Sequence, residues 1–167
     1  MSYVALLRGI NLGKINKVDM ISLKQLFEKL GFEQIQTYIQ SGNVLFNSLI
    51  LDEQHLEEKL YETYHFEIPV IVRSKDELLA AIQLPIAEKE NIYFIFLKNK
   101  ITGAQQEELK EIVTNEFTVL NDDTIVINLS DNYRKSKFTN AFFEKKLRIT
   151  ATSRNKNTVQ KILLKMD

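Results

Sequence analysis

Short apolar runs alternate with amphipathic stretches along the first half of the chain. Apolar runs of roughly four to eight residues are typical of strands, whereas apolar positions at helical spacing predict helices. One predicted helix ends near Leu30, where Gly31 is a natural stop, and a second carries Leu56 and Leu60. The strand-like runs are residues 3–8, 34–39, 43–47 and 68–73. Strand, helix, strand, strand, helix, strand is the order of a ferredoxin-like plait.

The second half of the chain repeats this order. Its strand-like runs are residues 92–97, 117–120, 124–129 and 149–152, with helices predicted from Thr102 and over residues 137–146. We therefore predict an α+β protein of two ferredoxin-like (βαββαβ, alpha-beta plait) subdomains, each followed by an extra helix, at residues 1–88 and 89–167. The two halves share this pattern without detectable sequence identity.

Polar residues at the predicted helix starts have the spacing of N-terminal caps. A Ser or Thr followed three residues later by Glu or Gln can cap a helix reciprocally. The predicted pairs are Ser22 with Gln25, Ser74 with Glu77, Thr102 with Gln105, and Asn157 with Gln160, and Asp52 is a single cap. Pro69 predicts that the fourth strand is an edge strand or begins at this residue.

Composition places the chain among ordinary globular proteins, with 44% hydrophobic and 26% charged residues in a length of 167. No apolar run approaches the roughly 20 residues that span a bilayer. The chain has no Cys, which excludes disulfides, thiolate metal sites and a cysteine nucleophile. Because the first residues lack the early basic charge of a signal peptide, we predict a cytoplasmic protein without a membrane partner.

Charge is unevenly distributed, although the formal net charge is +0. Residues 134–167 contain ten Lys or Arg but only Glu144 and Asp167 as acids, so this segment carries +8 and the rest of the chain −8. A segregated basic segment suggests an anionic partner. The alternative is that these residues form solvated helix faces.

The predicted topology brings two loops of the first subdomain together. In a plait the first and second strands run in the same direction, and the third lies antiparallel between them. The loop at residues 8–19 should therefore meet the hairpin at residues 39–43. The polar residues expected to converge are Arg8, Asn11, Lys14, Asn16, Lys17, Gln40, Ser41 and Asn43.

In the second subdomain, the same reasoning predicts an acidic end and a basic end. Asp122 and Asp123 should lie with residues 98–102 at one end, and the loops at residues 130–137 and 152–158 at the other. The residues expected to cluster at the basic end are Tyr133, Lys135, Ser136, Lys137, Arg154, Asn155, Asn157 and Thr158. A further hypothesis is that this end and the first subdomain's loop cluster form one composite cleft.

The candidate loops contain hydrogen-bond donors rather than catalytic pairs. His55 and His65 fall on or just after the second helix, so we expect surface or packing roles for them and no catalytic residue. No cofactor is predicted, and RGINLG is not a phosphate-binding glycine motif. No metal site is predicted either, because the candidate loops offer only the two carboxylates of Asp19 and Asp131. Arg, Lys, Asn and Ser near helix starts suit phosphate or carboxylate binding, with Arg giving a bidentate fork. Alternatively, the Asn and Ser residues cap helices and form turns.

The chain lacks the aromatic platform by which RNA-recognition motifs stack bases on the first and third strands. The first strand has Tyr3 only at its edge, and TIVINL in the second subdomain has no aromatic residue. Tyr93, Phe94 and Phe96 are therefore predicted to be core residues. Nucleic acid would then bind through basic loops by phosphate contacts.

Three stretches together resemble one family: ALLRGINLGKINKVDM, LGFEQIQTYIQSGNVLF and SKFTNAFFEKKLRITATSRNKNTVQKI. It is the bacterial cytosolic family called domain of unknown function 1697, and the resemblance runs from near residue 3 to near residue 165. The resemblance implies two ferredoxin-like subdomains and carries over no activity. Its motifs fall on Arg8, Gly9, Asn11 and Lys17; on Gln40, Ser41, Gly42 and Asn43; and on Ser136, Lys137, Thr152, Arg154, Asn155, Asn157 and Thr158.

The resemblance also identifies one departure, because the family commonly has a tryptophan where this chain has Lys156. If that aromatic stacks on a ligand, this chain has exchanged the contact for a charge. If it packs structurally, Lys156 should be exposed.

Three functions are compatible with the sequence. The first is a non-enzymatic binding module for an anionic ligand, plausibly nucleic acid, which uses the donor-rich loops. The second is an enzyme that acts on a phosphorylated small molecule in a cleft between the subdomains, with Arg8, Lys17 and Arg154 holding the phosphate. The third is a protein–protein adaptor that uses an exposed sheet edge.

Overall fold

The structure is a computed structural model that describes residues 1–39, 42–130 and 135–167. It divides into two compact units. The first unit comprises Met1–Glu77 and Ile162–Asp167, and the second comprises Leu78–Lys161. Across the described residues, no helix combines the length and apolarity needed to cross a membrane.

The first series of elements is the predicted plait with its extra helix. In chain order the elements are β1 (Ser2–Leu7), α1 (Met20–Lys29), β2 (Glu33–Tyr38), β3 (Asn43–Asn47), α2 (Glu53–Tyr64), β4 (Val70–Ser74) and α3 (Lys75–Ile82). The sheet has the strand order β2-β3-β1-β4, and every neighbouring pair is antiparallel. β4 is an edge strand that begins directly after Pro69, as the proline predicts.

The second series has the same topology. After a 3-10 turn at Pro85–Glu88 come β5 (Ile92–Leu97), α4 (Gly103–Ile112), β6 (Phe117–Leu120), β7 (Thr124–Asn128), α5 (Asn140–Leu147), β8 (Ala151–Asn155) and α6 (Lys156–Lys165). The sheet order is β6-β7-β5-β8. The last strand was predicted at residues 149–152, and this is wrong: β8 continues to Asn155 and leads directly into α6. Arg154 is therefore a strand residue and not a loop residue.

Helix caps confirm most of the predicted starts. Thr102 with Gln105 and Ser74 with Glu77 each form both reciprocal hydrogen bonds, and Asp52 accepts from the backbone N–H of His55. Two predictions are wrong by one turn or less. The cap of α1 is Asp19, which accepts from the Ser22 N–H, and Asn155 rather than Asn157 accepts from the Thr158 N–H at the start of α6.

The strand registers show that Arg73 and Arg154 occupy equivalent positions in the two plaits, which the sequences of the two halves did not indicate. Val4 of β1 lies opposite Arg73 of β4, and Phe94 of β5 lies opposite Arg154 of β8. Both arginines are buried, with 6% and 8% of their surface exposed. In each case the next residue caps the helix that follows. The motif Arg-(Ser/Asn)-Lys therefore marks the same strand-to-helix junction in both plaits.

Alternation along the strands builds the two cores. Ala5 and Leu7 of β1 pack with residues of α1 and α2, and Ile95 and Leu97 of β5 pack with residues of α4 and α5. The intervening positions face the other side of each sheet and are buried as well; they include Val4, Leu6, Phe94 and Phe96. Phe94 and Phe96 are thus core residues, as predicted.

Candidate functional site

The two loops predicted to meet in the first unit do meet. Leu7, the last residue of β1, donates its backbone N–H to the carbonyl of Gly42 at 2.9 Å. A Cβ atom on Gly42 would lie 2.9 Å from the Leu7 Cβ and 2.8 Å from the Ile10 Cδ1. The hairpin is therefore packed directly against the loop at residues 8–19.

Two asparagines of this loop bond the loop's own backbone. Asn11 donates its side-chain amide to the Val18 carbonyl at 3.2 Å and accepts from the Val18 N–H at 2.9 Å. Asn16 donates to the Gly9 carbonyl at 3.1 Å. Both asparagines have positive φ, which Asn tolerates better than most residues. These contacts fit the alternative prediction, in which asparagines form turns.

The tip of the loop has an apolar surface that sequence reasoning missed. Leu12 and Ile15 exchange backbone hydrogen bonds of 3.0 Å around Gly13 and Lys14, so their side chains share one face of a miniature hairpin. Both are more than half exposed. Lys14 and Lys17 are also exposed, whereas Arg8 is half-buried. The sequence did not indicate this apolar surface, because the loop at residues 8–19 is mostly polar and too short for residue spacing to show which side chains are exposed.

Within the described part of the hairpin at residues 39–43, Asn43 is a buried polar residue. Asn43 has no exposed surface, and its side-chain amide donates to the Tyr38 carbonyl at 2.9 Å. This bond closes the hairpin, which is a structural role. Gln40 and Ser41, the other predicted site residues here, lie outside the described residues.

A hydroxyl pair lies where the loop enters α1. The Ser22 hydroxyl donates to the Asp19 carbonyl at 2.9 Å and therefore accepts from the Tyr64 hydroxyl, 2.7 Å away. Burial raises the pKa of Tyr64 above its ordinary value of 10.0. The hydrogen bond with Ser22 opposes this rise in the pKa, and the Asp19 carboxylate adds to it. Tyr64 is thus held as a neutral donor that joins α2 to α1.

This pair predicts an alkaline loss of stability. We expect Tyr64→Phe to lose about 1 kcal/mol at about pH 8, the usual contribution of one hydrogen bond. Because the folded state raises the pKa of Tyr64, the stabilisation is complete below the unfolded pKa and is lost as the pH rises through the folded pKa. The difference in unfolding free energy between wild type and Tyr64→Phe should therefore shrink from about pH 10 upward.

Urea denaturation across this range checks the expectation. The matched control is Tyr61→Phe, because Tyr61 lies on the same helix and is 53% exposed. A gap between wild type and Tyr64→Phe that stays constant into strong alkali would contradict the assignment of Tyr64 as the neutral donor.

The second predicted cluster is partly assembled around a small cavity of about 200 Å³. We call it the lysine pocket; its lining residues are Thr114, Asn115, Leu129, Ser130, Lys135, Ser136, Lys137 and Phe138. The Ser136 hydroxyl accepts from the Phe138 N–H at 3.1 Å, and the Lys137 ammonium lies 5.1 Å from the centre of the Phe138 ring. None of the described lining residues is acidic. Thr114 and Asn115, which follow α4, were not predicted.

The predicted residues from 154 to 158 do not line this pocket. Arg154 donates to the Thr152 hydroxyl at 2.6 Å and to the Ser153 carbonyl at 2.8 Å. Asn155 caps α6, Asn157 is exposed on that helix, and Thr158 is buried. β5 lies between β7 and β8, so the two chain segments are separated by two strand spacings, roughly 10 Å. Tyr133 lies outside the described residues.

Lys156 occupies the position at which the family that this chain resembles commonly has tryptophan. It is the first residue of α6 and is half-buried. Its ammonium donates to the Lys89 carbonyl at 3.3 Å. The side chain thus bonds the segment that precedes β5.

Basic charge is not collected at one end of the second unit, contrary to the prediction. Lys145, Lys146 and Arg148 lie at the C-terminal end of α5, where Lys146 pairs with Glu108 of α4 at 3.1 Å. The expected acidic end does assemble, because Leu97 and Ile101 bond the Asp123 and Asp122 carbonyls. The prediction failed because α5 runs back along the sheet and carries its cations to that end.

Histidines and carboxylates are the remaining candidates for a metal centre. His55 and His65 are both exposed, in agreement with a surface role. No group of three or more His, Asp or Glu that could hold a metal ion occurs within residues 1–39, 42–130 and 135–167.

The chain is a tandem ferredoxin-like α+β protein, because it contains two antiparallel plaits. The first plait has the packed loop and hairpin, and the second has the lysine pocket. The comparison with protein families is consistent with this class. The chain belongs to the family described as protein of unknown function, DUF1697, whose model matches residues 1–125. The first two resembling stretches lie within that range, and the third lies beyond it.

A solved structure supports the fold along the whole chain. The chain is similar to the conserved bacterial protein SP0830 from Streptococcus pneumoniae, with 25% sequence identity and a TM-score of 0.68. The match covers 98% of this chain and 97% of that one. No curated protein matches the chain.

Proposed function

We propose that this protein is a non-enzymatic binding module that holds one anionic group, such as a phosphate, in the lysine pocket. The observation that carries the proposal is the lining of this cavity, which combines Lys135 and Lys137 with the hydroxyls of Thr114, Ser130 and Ser136. Ammonium and hydroxyl groups are donors suited to phosphate or carboxylate oxygens.

The size of the cavity limits what it can enclose. Pockets that bury a drug-sized molecule occupy about 300–1,000 Å³. At about 200 Å³, the lysine pocket is smaller and suits a single charged group with part of its hydration shell. A larger ligand would therefore project out of the pocket and contact the surrounding surface.

The phosphate in the lysine pocket could belong to a nucleic acid, and the distribution of cations limits how such a ligand would bind. An extended nucleic-acid surface needs several cations in a row, each neutralising one phosphate. Lys146 pairs with Glu108, Arg154 is buried in β8, and the Lys89 ammonium pairs with Glu116. This arrangement favours contact with one or two phosphates, from either a nucleic acid or a free phosphate compound.

Titrations with inorganic phosphate, pyrophosphate and a single-stranded oligonucleotide test the proposal. We expect phosphate to shift the backbone amide signals of residues 135–138, and Lys137→Gln or Lys135→Gln to weaken its binding at least about fivefold, or roughly 1 kcal/mol. Lys145→Gln is the matched control, because this exposed lysine lies at the other end of α5.

The salt dependence of oligonucleotide affinity distinguishes an extended nucleic-acid surface from a pocket for one or two phosphates. With one or two phosphate contacts, log K for the oligonucleotide should fall with log salt at a slope of about −0.7 to −1.4. A slope several times steeper would indicate many phosphate contacts, and the nucleic acid would then bind an extended surface and not the lysine pocket. Binding of none of the three probes, or binding that both lysine variants leave unchanged, would reject the proposal.

A further inference from the structure

A second cavity, in the first unit, lies away from the loop at residues 8–19, where the end of α1 and the start of β2 meet the end of β3 and the start of α2. It is an open groove of about 630 Å³. We call it the apolar groove; its lining residues are Met1, Leu30, Gly31, Phe32, Glu33, Asn47, Ser48, Leu49, Ile50, Asp52, His55 and Leu56. Its volume falls within the range of roughly 300–1,000 Å³ that is typical of sites for small organic molecules.

Unusual exposure of apolar side chains distinguishes this groove from an ordinary surface depression. Leu49 is 99% exposed and Ile50 is 79% exposed, and they are adjacent in the chain. Beside them, Phe32 packs against the buried Phe46 with ring centres 4.5 Å apart and the ring planes tilted by 31°, and Leu56 is buried. Contiguous exposed apolar surface of this kind commonly marks a binding site.

Hydrogen bonds fix the segment that carries the two exposed residues. The Ser48 N–H donates to the Met1 carbonyl at 3.1 Å, which ties the segment to the start of β1. The Ser48 hydroxyl accepts from the Ile50 N–H at 3.2 Å and also bonds the Ile50 carbonyl. These local hydrogen bonds constrain the turn that carries Leu49, which limits the ordering that binding requires.

Charge within the groove selects among apolar ligands. Its lining includes the carboxylates of Glu33 and Asp52, and it includes no Lys or Arg. The N-terminal ammonium of Met1 donates to the Ser48 carbonyl at 3.2 Å, and His55 is exposed at the rim. The two carboxylates outnumber the Met1 ammonium, so the groove attracts a cation and repels an anion.

We propose that the apolar groove binds a hydrophobic small molecule bearing a cationic amine, with its apolar part against Leu49, Ile50 and Phe32 and its ammonium near Glu33. This site is independent of the lysine pocket, because the two lie in different units and select opposite charges. Glu33 is the better candidate for the charge contact, since Asp52 already accepts from the His55 N–H at the cap of α2.

Three probes of equal chain length test both parts of the proposal at about pH 7: octylamine, octanol and octanoate. We expect displacement of the neutral dye Nile red in the order octylamine, then octanol, then octanoate, with octylamine at least about threefold tighter than octanol. The common alkyl chain measures the apolar contact, and the differences measure the charge preference.

Single substitutions test which residues of the apolar groove contact the probes. Leu49→Gln and Ile50→Gln should each weaken the binding of all three probes at least about threefold. Both variants should leave the fold intact, because Leu49 is 99% exposed and Ile50 is 79% exposed. Glu33→Gln should reduce the preference for octylamine over octanol and leave octanol unchanged. Leu164→Gln is the matched control, since Leu164 is 85% exposed on α6.

Two outcomes would overturn the proposal. If octanoate binds as tightly as octylamine, the carboxylates do not select the ligand. If Leu49→Gln and Leu164→Gln behave alike toward octanol, the groove is not the binding site. Neither outcome affects phosphate binding at the lysine pocket, which is measured with different probes and different variants.

Discussion

Gly42→Ala should destabilise the first unit by about 3–5 kcal/mol, whereas Gly13→Ala should cost only about 1–2 kcal/mol. Both glycines have positive φ, +94° at Gly42 and +60° at Gly13, so a side chain strains the backbone at either site. They differ in their surroundings. A Cβ on Gly42 would lie within 3 Å of Leu7 and Ile10, whereas a Cβ on Gly13 would have no atom within 4 Å.

Urea denaturation of the two variants checks this difference. If Gly42→Ala does not fold, Ile10→Val in the same chain should restore part of the stability, because it removes the Cδ1 atom in the closest contact. Equal losses for Gly42→Ala and Gly13→Ala would show that the loop and the hairpin are not packed as described. The requirement for glycine at position 42 thus comes from both the turn and the contact with the neighbouring loop.

Arg154→Ala should lower the unfolding free energy by about 3 kcal/mol. The guanidinium donates to the Thr152 hydroxyl and the Ser153 carbonyl, and hydrogen bonds from charged groups contribute about 1.5–3 kcal/mol. Its removal also leaves a cavity and deprives the buried Thr152 hydroxyl of a partner. Lys156→Ala, two residues further on and only half-buried, should change stability by less than about 1 kcal/mol.

The same variant decides between two roles for this arginine. The sequence placed Arg154 in a loop as a phosphate ligand, and the structure places it in β8 with its side chain bonded along the strand. If Arg154→Ala retains wild-type stability and loses phosphate binding, the ligand role is correct. If it loses stability and the fraction that remains folded binds phosphate normally, the arginine is part of the fold.

Most of the fold could be predicted from sequence because its signals are local. The apolar run at residues 92–97 and the turn at Asn121 lie within a few residues of the strands they define. The reciprocal caps at Ser74 and Thr102 need partners only three residues away. Once the element order was known, the handedness of crossover connections limited the topology and predicted the meeting of the loop at residues 8–19 with the hairpin.

Predictions failed where several polar residues competed for one local role. Asp19 and Ser22 both suit the start of α1, and Asn155 and Asn157 both suit the start of α6. The extent of β8 decides the second case, because a strand that continues to Asn155 makes that residue the last before the helix. Strand extent depends on pairing with β5, which the segment's own sequence does not encode.

By itself, the sequence determined the α+β class, the order of elements, the two-plait topology and the family. These properties follow from hydrophobic periodicity and local caps, which act over a few residues. Tertiary structure alone decided which polar residues remain available to a ligand. It directed Asn11, Asn16 and Arg154 to intramolecular hydrogen bonds, brought Thr114 beside Lys137, and left Leu49 exposed over the apolar groove. The physical reason is that burial and hydrogen bonding depend on neighbours distant in sequence, and only the folded chain brings those neighbours together.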